Sequence, residues 1–147
     1  MTVARLEIAQ AADQHGVTGW SWGTTWRPSC PNAFHFATQA AAGEIADRRQ
    51  MVEAYGIDPT EAAHLAGSTH DRDQAIALLA AVGYPIALEG PAPEGGGTWE
   101  QVTEAAAVVV AELWEPISRT AVALLIAPGY SLPGERVVDI LRGGEAL

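Results

Sequence analysis

Apolar residues recur at three-and-four spacing along most of this chain, and caps, glycines and prolines cut that pattern into short pieces. The sharpest cut lies at residues 56–61. Asp58 can accept from the free backbone N–H groups of a first helical turn. Pro59 suits the first helical position, where its missing N–H costs nothing, and Glu61 completes a capping box. A chain punctuated in this way packs as several short helices rather than as a long coiled coil or a large sheet.

The same reading extends in both directions. A first helix is expected over about residues 2–15, with Val3, Leu6 and Ala12 on its apolar face and Gly16 as its stop. Ser29 or Asn32 can open a helix reaching about Gly43, and another follows to Tyr55. Gly43 can equally lie inside one long helix, because its flanks are rich in alanine. The helix begun at Pro59 ends at Gly67. The next is capped near Ser68, is lined by Ile76, Leu79 and Val82, and stops at Gly83. Residues 89–98 read as a flexible connector.

Thr98 and Gln101 make a second capping box, after which Trp99, Val102, Ala106, Val109 and Leu113 form a helical seam. Glu100, Glu104 and Glu112 fall off it. Pro116 should kink or end that helix. Residues 117–127 are expected to be a buried helix, although the run from Ala121 to Ile126 also fits an interior strand. A turn and a last helix over about 133–142 follow. The fold class expected is all-α: six or seven short helices in one domain over residues 1–147.

Residues 16–31 break the helical rhythm. Trp20, Trp22 and Trp26 stand among glycines and prolines at even spacing, so a loop or one short strand is expected near 17–27. Indole offers a large apolar surface and one N–H donor, which suits interfaces and ligand pockets. Trp20, Trp22, Trp26 and Arg27 are therefore the candidate binding residues. The plainer reading is that they lid a small helical core.

Residues 58–82 resemble a helix-turn-helix. Ala63 and Gly67 stand where that motif has a small residue and a turn glycine, and Ile76 where its second helix has a core residue. The resemblance implies DNA contact through Thr69, His70 and Arg72. It departs from the motif at Asp73, a position normally apolar, and in the acidic opening of the second helix. DNA binding draws on Lys and Arg contacts to phosphate, and Arg72 is the one obligate cation in that segment.

Composition narrows the remaining classes. The formal net charge is −10, so nucleic acid and anionic membranes are disfavoured as partners. All the basic residues are arginine, as in products of GC-rich genomes. Cys30 is the only cysteine, which precludes an internal disulfide. No apolar run is long enough to span a bilayer, and the amino terminus does not read as a signal peptide, so a cytoplasmic location is expected.

Catalytic chemistry finds little footing. His35 is five residues from Cys30, a poor separation for a nucleophile and base on one helix. His64, His70, Asp71 and Asp73 supply no dependable third metal ligand, and Gly95 to Gly97 follow no strand and precede no lysine. No metal or cofactor is expected. The sequence reading is a non-catalytic adaptor or regulator that binds a protein partner or itself. The alternatives are a helix-turn-helix regulator and a small enzyme or ligand-binding protein with a Trp-lined pocket.

Overall fold

The computed structural model describes residues 3–10, 16–22, 29–66 and 69–144. The protein is mostly helical, with six α-helices among these residues. The chain divides into two compact units, residues 28–112 and residues 1–27 with 113–147.

The unit of residues 28–112 is built on one long helix. A single-turn 3-10 helix, Cys30–Asn32, leads into α1, Ala33–Tyr55, which runs straight through Gly43. Gly56 ends it in the left-handed conformation, at φ 64°. Next come α2, Pro59–Leu65, and α3, Thr69–Ala81. Asp58 caps α2 as expected: one carboxylate oxygen accepts from the backbone N–H groups of Thr60, at 2.9 Å, and Glu61, at 3.4 Å. Two short parallel strands, β3 (Ile86–Ala87) and β4 (Gly97–Thr98), close the connector into a loop and lead into α4, Trp99–Glu112. The predicted box forms: Gln101 N–H donates to Thr98 Oγ1 at 3.2 Å, and Thr98 N–H donates to Gln101 Oε1 at 3.0 Å.

Helices α2, α3 and α4 all pack against α1. Ala33, Ala37 and Ala41, four apart on α1, form a fully buried small-residue stripe, and Leu79, Ile86, Val102 and Ala106 close over it. The α4 seam differs from the sequence reading at its far end. Val110 is buried, whereas Val109 and Leu113 are exposed. Steps of four from Val102 through Ala106 to Val110 hold one face toward α1. Gly43 lies mid-helix and exposed, with open space where a Cβ would stand. Gly43→Ala is expected to stabilise the protein by about 0.5–1 kcal/mol through a less free unfolded chain, read as a higher melting temperature.

The second unit holds the main departure from the sequence reading. The segment expected as a first helix is a strand, β1, Val3–Gln10. It pairs antiparallel with β2, Gly16–Trp22, with Leu6 opposite Trp20 and Gln10 opposite Gly16. Alternation of Ala4, Leu6 and Ile8 with Arg5 and Glu7 is a period-two pattern, and it prevails over the helix propensity of the alanines.

Helix α5, Trp114–Ile126, carries Pro116 in its first turn, where a missing N–H is tolerated. The helical reading of residues 117–127 holds and the strand reading does not. After it, β5, Ser131–Pro133, pairs with the other edge of β1, giving the order β2-β1-β5. Helix α6, Gly134–Leu141, ends the unit and packs on β1. Ala123 and Leu124 of α5, Leu132 of β5, and Val137 and Ile140 of α6 form its core.

Candidate docking face

From Thr120 onward α5 carries no charged residue, and its side chains are nearly all aliphatic on every face. A helix of that kind normally lies buried on every side, and burial was the expectation for residues 117–127. The structure buries one side only. Thr120, Ala123 and Leu124 face the core, while Val122, Leu125 and Ile126 are 52%, 59% and 55% exposed. These three stand at i, i+3 and i+4, so they form one continuous outer stripe. From Thr120 to Gly134 the sequence contains no charged residue. The stripe was missed because composition shows that a helix is apolar, not how many of its faces find a partner.

One turn before the stripe stands Arg119. Its guanidinium lies 3.7 Å from Glu115, whose side chain is 81% exposed. Its Nε is buried and makes no hydrogen bond. The ion pairs Arg49–Glu53, Arg72–Asp73 and Arg136–Asp139 are all at 3.0 Å or closer. Arg119 is thus the most loosely held of these cations.

The other unit has a shallow groove of about 380 Å³ between α1 and α2, lined by Arg48, Arg49, Val52, Glu53, Pro59 and Ala63. Its charges are already matched within α1, Arg48 by Glu44 and Arg49 by Glu53. The groove therefore shows no charge preference for a ligand. On the same helix, partial burial, with Glu44 nearby, pushes the Asp47 carboxyl above its ordinary value. The folded chain then holds that proton more tightly than the unfolded chain. The group's stabilising effect is present at low pH and is lost as pH rises through the folded pKa. Asp47→Asn should raise the melting temperature at neutral pH, on the order of 1 °C because Asp47 stays largely in water, and leave it unchanged near about pH 3.

The structure describes only some of the residues singled out from sequence. Trp20 and Trp22 belong to β2, paired across from Leu6 and Val3. Trp26 and Arg27 lie outside the described residues. Thr69 and His70 are exposed in the first turn of α3, and Arg72 donates to Asp73 Oδ1 at 3.0 Å. Asp73, where a helix-turn-helix has a buried apolar residue, is exposed, and Ile76 packs against the core. Cys30 is exposed, as is His35. Among the described residues, no three His, Cys, Asp or Glu side chains converge on a point, and no helix is long and apolar enough to cross a membrane.

The described residues thus define a mostly helical protein whose most distinctive surface is an apolar helix face beside a loosely paired arginine. Compared with protein-family models, with curated proteins and with solved structures, the chain matches none.

Proposed function

We propose that this protein is a non-catalytic interaction protein, an adaptor or regulator, which docks another polypeptide on the outer face of α5. The single observation that carries this reading is the exposed stripe of Val122, Leu125 and Ile126 on a helix whose opposite side builds a core. Three large aliphatic side chains in one uncharged stripe cost free energy in water and regain it when covered, at roughly 25 cal/mol for each Å² removed from solvent. The chain's strong acidity supports a protein occupant over nucleic acid.

Photo-crosslinking in the cell tests the reading. A benzophenone amino acid at Leu125 should give discrete adducts with a polypeptide. The same group at Leu78, an exposed leucine of α3, should not. Equal adduct patterns at the two positions, or none at Leu125, would refute it.

A further inference from the structure

We infer that the partner docked on the outer face of α5 is a basic amphipathic helix, whose apolar stripe ends in an arginine or lysine that pairs with Glu115. The inference rests on the reading of α5 as a docking face and states the chemistry of its occupant.

The face is built to receive a helix. Glu115, Arg119, Val122 and Ile126 stand four, three and four residues apart, with Leu125 beside Ile126. That is the seam spacing by which one helix packs along another. From Glu115 to Ile126 the seam runs about 16 Å. The aliphatic side chains of the stripe offer an occupant no hydrogen bonds. A segment lying on them must satisfy its own backbone N–H and C=O groups, and a helix does so within itself.

Charge fixes the rest. No charged residue stands between Thr120 and Gly134, so the charges of the α5 seam lie at one end, in Glu115 and Arg119. The Arg119 side chain is 32% exposed, with its Nε buried, whereas that of Glu115 is 81% exposed. An approaching segment therefore meets the carboxylate first. The 3.7 Å contact between the two is too long for a charge-assisted hydrogen bond, which leaves that carboxylate open to a cation from outside. The formal net charge of −10 attracts a basic segment from a distance and repels an acidic one. An acidic residue at the same place on the partner would stand against Glu115.

Fluorescence anisotropy with helical peptides tests this on the full chain, with circular dichroism to confirm that each variant folds. One peptide carries a leucine stripe ending in arginines. A second has glutamates in their place, and a third scrambles the basic sequence so that the stripe is lost. The basic stripe peptide should bind at least about tenfold tighter than either of the others. Glu115→Arg should reverse the preference between basic and acidic stripes. Glu94→Arg, an equal change of charge at an exposed connector residue, should not. Leu125→Asp should abolish binding. Equal binding of the basic and acidic stripes, or a preference that Glu115→Arg does not move, overturns the inference; the docking face stands if Leu125→Asp still abolishes binding. A wild type that binds none of the peptides, or binds the scrambled one as tightly, also overturns it, and the face then rests on the Leu125 adducts alone. Binding untouched by Leu125→Asp removes the face as well. In sedimentation velocity, a wild-type dimer that Leu125→Asp dissolves would make a second copy the occupant and overturn the inference.

Discussion

Gly96→Ala should destabilise the protein by about 3 kcal/mol, lowering the melting temperature by roughly 8–12 °C. A Cβ on Gly96 would stand 1.9 Å from the Pro85 carbonyl oxygen and 2.9 Å from its carbonyl carbon. Both are backbone atoms of a tight crossing. The same Pro85 oxygen accepts from Gly97 N–H at 3.1 Å, and that contact sets the β3–β4 pairing that leads into α4. No rotamer change relieves the clash, so the strands must separate. Gly95→Ala is the control. It has open space at the Cβ but a φ of 71°, and should cost only about 1 kcal/mol. Equal losses at the two positions would show that the close approach is not what requires glycine.

Leu79→Ala should cost about 3–4 kcal/mol in urea unfolding, well within the usual range for a buried leucine. Leu79 is fully buried, and its surroundings include Ala33, Ala37, Ala41 and Ala106. Alanines on packed helices have no side-chain freedom with which to fill a vacated volume, so most of the cavity persists. Leu78→Ala, at a site 41% exposed, should change stability by no more than about 1 kcal/mol. A loss at Leu79 as small as that at Leu78 would contradict the placement of the core.

The helices were legible in the sequence where their signals are local. Asp58 with Pro59, and Thr98 with Gln101, act within one turn, and the structure shows their bonds. Gly56 and Gly83 end their helices at positive φ for the same reason. The strands were harder to read. The alternation in β1 is interrupted by alanines at positions 4 and 9, which also suit a helix, and β5 is three residues long. It becomes a strand by pairing with residues more than a hundred positions away. No local pattern carries that information.

The candidate site was less legible still. Indole is common at interfaces, which makes Trp20, Trp22 and Trp26 the candidates that the sequence itself offers. The face that stands out is on α5, where every residue from Ala121 to Ile126 is apolar and sequence alone cannot divide the inward from the outward. Whether Val122 or Ala123 faces the core depends on α6 and β5, which pack against one side of the helix only. The looseness of Arg119 is likewise a matter of distance, which no spacing rule reports.

Thiol labelling of single cysteines placed along α5, in a Cys30→Ala background, tests the outer stripe most directly. In dilute protein, Leu125→Cys should react at nearly the rate of an exposed thiol, and Ala123→Cys should be strongly protected. If position 125 is as protected as position 123 in the isolated chain, that face belongs to the protein's own core, and the docking surface does not exist.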